Sequence, residues 1–210
     1  MNHIMGKLLI LFISAVMLIS VAMAENKPLG NTSGGKQLSV VFVAMEGSNI
    51  TSNCFSKGEI AQNLGIKEEE IQSRINSEFF EMISQAMNKS NIKLVVCPLD
   101  CSSSLSSKMK FQHAADEISS DITELKWEEY SKILKIASAN YMLVFDQYNV
   151  RHEGYPYNNY SNIIKFSIYD QNKNKVYEGR HQFASLDKVD LKTLKKQLQR
   201  AAAKIPSKIR

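Results

Sequence analysis

No catalytic or cofactor-binding motif, no internal repeat and only three cysteines occur in this chain of 210 residues. The first lack leaves no cofactor to assign and no nucleophile paired with a base. The second excludes a repeat architecture. An odd number of cysteines leaves at least one thiol unpaired, and none stands near residue 24 to carry the lipid of an anchored bacterial N-terminus. Three residues separate Cys97 from Cys101, which excludes a redox C-x-x-C pair. His113, His152 and His181 show no spacing that would complete a zinc site. The one long apolar run, LLILFISAVMLISV at 8–21, falls short of the roughly 20 residues a membrane-spanning helix needs.

That run follows Lys7 and ends in Ala22-Met23-Ala24 before a polar stretch. These are the three parts of a secretory signal peptide. The expected organisation is a signal peptide at 1–24, a flexible lead-in at 25–37 rich in Gly, Ser and Asn, and a single domain at 38–210. The protein is then exported, periplasmic or extracellular after cleavage near Ala24. The formal charge of +5 is unevenly spread, because residues 187–210 hold eight Lys or Arg against Asp187 and Asp190, a net +6.

Along the domain, β-branched runs at 38–45 and 92–97 read as buried strands. Between them, Ile71, Ile75, Phe79, Met82, Ile83 and Ala86 recur at helical spacing behind three acids that favour a helix start. Trp127, Tyr130, Leu134 and Ala137 mark a second helix, which leads into a strand at 141–150. The 162–183 segment alternates Ile164, Phe166 and Ile168 with Lys165, Ser167 and Tyr169 and turns at QNKN, the pattern of a hairpin. A last helix starts near Asp190 with Leu191, Leu194, Leu198, Ala201 and Ile205 as its stripe. The fold class is α/β with α+β character, in the order β-α-β-α-β-β-β-α. Right-handed crossovers and the closing meander give a mixed sheet of about five strands with helices packed on it.

The segment from Trp127 to Phe183 joins an amphipathic helix, SANYMLVFDQYNV, a loop and the hairpin IIKFSIYDQNKNKVYEGRHQF with its Lys175-Val176 step. It resembles a group of bacterial envelope proteins that includes the curli-secretion lipoprotein, the outer-membrane activators of penicillin-binding proteins and the N-terminal domain of TolB. Unlike many of that group, this chain has no lipid-anchored cysteine and carries Asn140 where an acid is common. The resemblance implies a non-enzymatic role in envelope assembly or protein binding, with an envelope protein as partner.

Three constellations remain. RHEGYPYNNY at 151–160 sets Tyr155, Tyr157 and Tyr160 beside Arg151 and His152 in a loop longer than a hairpin needs. Tyr and Arg are enriched at binding hot spots, so these five residues are the candidate partner surface, against a solvated loop with its tyrosines folded back. The alternative function, a secreted enzyme or small-ligand binder, would use the same loop, with His152 and Glu153 as an acid/base pair. Parallel strands at 38–45 and 92–97 end at one sheet edge, and export favours oxidation, so Cys54 and Cys101 are expected to form a disulfide. The basic terminal helix, with Lys192, Lys195, Lys196 and Arg200 off its apolar stripe, is a solvated face or a weak contact with an anionic surface. Nucleic acid does not suit an exported chain. Intact mass of the exported protein is expected to place its N-terminus at Glu25, whereas a mass retaining residues 1–24 would make the leader an anchor.

Overall fold

The computed structural model describes residues 37–98, 105, 107–156 and 158–209. The signal peptide, nearly all of the lead-in, Cys101 and Tyr157 lie outside the described residues. Ser39–Val43 (β1) is buried along its whole length, as an unbroken apolar run requires. Ile50–Ser52 (β2), Lys57–Leu64 (α1), Ile71–Asn88 (α2) and Lys93–Val96 (β3) follow. Next come the hairpin Lys110–Ala114 (β4) and Glu117–Asp121 (β5), then Trp127–Ile136 (α3). Tyr141–Glu153 (β6), Asn159–Tyr169 (β7), Lys175–Ser185 (β8) and Leu191–Ala202 (α4) complete the chain. The main sheet runs β3-β1-β6-β7-β8, parallel across β3, β1 and β6 and antiparallel from β6 to β8. β2 adds a sixth strand by pairing with β6 further along its length.

Several short elements escape the periodicity reading, β2 among them. α1 has only Ile60, Ala61 and Leu64 buried, but a capping box starts it: Glu59 N donates to Ser56 Oγ and Ser56 N donates to Glu59 Oε2 at 2.8 Å. Gly65, at φ +69, ends it in the left-handed conformation. The β4–β5 hairpin has almost no apolar run, because the sheet holds it chiefly by polar contacts. Trp127 is a correction of another kind. It opens α3 at 57% exposure, while Tyr130, Ile133, Leu134 and Ala137 form the buried face.

α1, α2 and α4 supply side chains to the core on one face of the sheet. Phe79 of α2 stands at its centre, its ring centroid 4.4 Å from Phe145 and 6.1 Å from Phe166. The opposite face carries α3 and the hairpin. Gly179 of β8 pairs with Phe166, whose Cζ would lie 2.5 Å from a Cβ at that position. Gly179→Ala must therefore displace a fully buried ring. It is expected to lower stability by about 1–3 kcal/mol, read as a lower midpoint in urea; an unchanged midpoint would show that the ring moves freely.

Candidate functional site

The hairpin is docked through an irregularity in β6. Phe145 pairs with Phe166 and Gln147 with Lys165, so Asp146 is an extra residue, a β-bulge. In a regular strand Asp146 and Gln147 would point to opposite faces. Here both reach the hairpin: Ser120 N donates to Asp146 Oδ1 at 3.1 Å and Ile118 N to Gln147 Oε1 at 3.0 Å. Gln147 Nε2 donates to Asp116 O and Thr51 Oγ1, and Asn149 Nδ2 also donates to Asp116 O. The polar half of the alternating 162–183 pattern is consequently covered. Lys165, only 3% exposed, donates to Glu117 Oε2 at 3.0 Å and Ser119 Oγ at 2.9 Å, with Glu178 at 3.3 Å.

Asp146 is fully buried and also accepts from Ser167 Oγ at 2.6 Å. Burial pushes its carboxyl up to about 6, against the hydrogen bonds from Ser120 and Ser167 that favour the charged form. Glu178 moves the other way. Partial burial raises it, but hydrogen bonds from Ser119, Lys175 and Lys165 bring it down to about 2.

Half of the predicted 151–160 loop is strand. β6 runs to Glu153 and β7 starts at Asn159, with Arg151 opposite Ser161, His152 opposite Tyr160 and Glu153 opposite Asn159. Alternation then separates the predicted residues. His152 and Tyr160 share the helix-bearing face, where Tyr160 stacks on Phe55 at 5.5 Å and His152 lies 5.0 Å from Tyr160. Lys188 Nζ sits 5.0 Å from the Phe55 ring centroid. Arg151 and Glu153 take the hairpin face, Arg151 at 3.4 Å from Asp116 and Glu153 accepting from Ser161 and Gln182. His152 and Glu153 therefore form no acid/base pair. Tyr155 alone of the described tyrosines here is fully exposed, at 100%, and Leu186, which follows the β8 residue paired with Tyr160, is 81% exposed.

The cysteine geometry also differs from expectation. Cys97 N donates to Phe42 O, level with the end of β1. β2 carries Cys54 past Ser52, which pairs with Val150, six residues beyond the Val144 that pairs with Val43. At ~3.3 Å per residue that is about 20 Å of strand, so the loops do not emerge side by side. Cys54 holds a free thiol 3.3 Å from Ser52 Oγ, and no disulfide joins described residues. Among the described residues no three His, Cys, Asp or Glu side chains come together to hold a metal ion. On α4, Lys192, Lys196 and Arg200 are exposed, but Lys195 is drawn to the buried Glu78 at 2.9 Å.

Beneath the hairpin turn lies a polar cavity of about 190 Å³, bounded by Thr51 and Asn53 from the β2 side, His113 and Asp116 from the hairpin, and Asn149 and Arg151 of β6. Sequence periodicity misses both this cavity and the Phe55–Lys188 contact, because their residues come from segments far apart in the chain. The Asp-Gln-x-Asn inside the apolar run of β6 was the available signal, since buried polar side chains need partners.

Fold and sites together define an α+β protein with a mixed six-stranded sheet, helices on both faces and a hairpin laid across one of them. No described protein family and no curated protein matches the chain. It is similar to two solved structures of the PelC dodecamer from Paraburkholderia phytofirmans, one of a variant form. They show 10% and 9% identity and TM-scores of 0.42 and 0.41, covering 85% and 83% of this chain and 96% and 89% of those. Likeness at this level says nothing of function.

The Asp146 carboxyl generates a pH prediction. A folded-state value of about 6 against an ordinary 3.8 means the folded chain holds a proton in that window that the unfolded chain releases. Its contribution is full below about pH 4 and is lost as pH rises through about 6, on the order of 2–3 kcal/mol in all. Asp146→Asn keeps an acceptor for Ser120 and a donor for Ser167 without the charge. The stability of wild type minus that of the Asn variant is expected to fall between about pH 4 and about pH 7 in parallel denaturant titrations. A constant difference would contradict the raised value.

Proposed function

We propose that the protein is an exported, non-enzymatic binding or assembly factor of the bacterial cell envelope, which engages an envelope protein through the end of its sheet where β6 turns into β7. The observation that carries this reading is the pairing of Tyr155 and Leu186, both strongly exposed, with the stacked Phe55 and Tyr160 and the Lys188 cation at the same sheet end. A rigid aromatic layer rimmed by a cation and fronted by exposed apolar groups is the composition of a protein-binding surface. The placement of His152 and Glu153 on opposite faces of β6 supports a binding reading of this segment over an acid/base one. The signal-peptide pattern and the resemblance of residues 127–183 to envelope assembly proteins support an envelope location.

Tyr155→Ala with Leu186→Ala is expected to leave stability within about 0.5 kcal/mol, as exposed substitutions do, and to remove most of the envelope proteins crosslinked by the wild type. Tyr160→Ala is expected to lower stability as well, because it breaks the stack on Phe55. An unchanged set of crosslinked partners in the double variant would sink the proposed surface.

A further inference from the structure

We infer that the cavity between β2, the β4–β5 turn and β6 binds a small carboxylate carrying its own hydrogen-bond donor, a hydroxy or amino acid, with Arg151 as the group that takes the carboxylate. The site lies on the face of β6 opposite Tyr160, so it stands independently of the protein-binding surface at the sheet end.

The walls are fixed before any ligand arrives. Gln147 spends its amide on Ile118 N, Asp116 O and Thr51 Oγ1, and Asn149 Nδ2 holds the same Asp116 carbonyl. Such preorganisation cuts the ordering cost of binding. What remains on the lining is a set of unspent polar groups. The Arg151 Nε is buried and has no acceptor among the described residues. Its Nη2 meets Asp116 at 3.4 Å, beyond the ~2.7–2.9 Å of a charge-assisted hydrogen bond, and the Asp116 side chain is 64% exposed. That pair is weak and solvated, and it leaves the guanidinium fork under-used. His113, on the hairpin strand that overlies the cavity, has no hydrogen-bond or ion-pair partner among the described residues. Asn149 is spent through its Nδ2 on Asp116 O, and its Oδ1 accepts from no described residue.

Charge and size select the ligand. A planar fork suits a planar carboxylate, which it can hold by two parallel hydrogen bonds. A phosphate dianion would bring a second charge against Asp116. The Asn149 Oδ1 on the lining can accept from a donor on the ligand, which a hydroxyl or ammonium supplies. A volume of about 190 Å³, open to solvent on one side, accommodates on the order of six water-sized groups at ~30 Å³ each, the size of glycolate, lactate or glycine.

The test is a titration of the isotope-labelled protein with glycolate, followed by amide NMR shifts at constant ionic strength and neutral pH, with inorganic phosphate and chloride as comparisons. Saturable shifts are expected at Ile118, Asn149 and Arg151 in the millimolar range or tighter. Arg151→Met is expected to weaken binding about tenfold or more, the loss of charge-assisted hydrogen bonds. Asp116→Asn should strengthen it about fivefold by removing the competing charge. If Arg151→Met does not fold, His113→Ala carries the test, since this exposed side chain has no partner to lose and its removal should weaken binding several-fold. Absence of saturable shifts, an equal response to chloride, tighter binding of phosphate than glycolate, or weaker binding in Asp116→Asn would each overturn the inference.

Discussion

Two consecutive side chains of β6 point to the same face because one extra residue sits between Phe145 and Gln147 in the pairing with β7. That bulge is the constraint on which the hairpin-bearing half of the molecule rests. β4 and β5 form only a two-stranded ribbon, and such a ribbon is marginal in water. It is held by acceptors that Asp146 and Gln147 present to the N–H groups of Ile118 and Ser120, two residues apart on one edge of β5. Side chains of the large sheet thus stand in for the backbone of a neighbouring strand. An edge that would otherwise invite pairing with another chain is covered in the process.

Other features follow from the docked ribbon. It roofs Lys165 and supplies Glu117, which also accepts from Arg180 at 2.6 Å, so charges from β5, β7 and β8 are tied together. It creates a polar cavity on one face of β6, while the opposite face of the same strand, at Tyr148 and Val150, belongs to the apolar core. At the far end, residues of alternate parity on β6 serve different surfaces: His152 joins the aromatic stack and Arg151 the cavity. A long antiparallel β6–β7 pair is what brings both surfaces to one end of the molecule. The cost is a buried carboxylate, met by hydrogen bonds from Ser120 N and Ser167 Oγ, with the Tyr169 hydroxyl close behind Ser120.

Much of the fold was legible because apolar periodicity reports burial. The strand at 38–45, the α2 stripe through Ile75, Phe79 and Ile83, and the α4 stripe through Leu194, Leu198 and Ala201 all lie in the core. Periodicity was silent where polar contacts decide. The hairpin sequence KFQHAADEISSD buries mainly Ile118 and Ser120 and carries no apolar run, and β2 is only three residues long. The candidate site was legible in part: the 151–160 segment does hold exposed Tyr155, but a loop reading cannot know that Arg151 and His152 continue a strand and so face apart. Nor could it know that β2 displaces Cys54 from the edge where Cys97 emerges.

Native-state amide hydrogen exchange reads directly whether the acceptors of the bulge hold the hairpin on the sheet. Ile118 and Ser120 should exchange nearly as slowly as core amides of β6 and β7, since their N–H groups are bonded to buried side chains. Asp146→Ala should release Ser120, and Gln147→Ala should release Ile118, while the β6–β7 core stays protected. Rapid exchange of both amides in the wild-type protein, or protection that survives loss of both acceptors, would contradict the account.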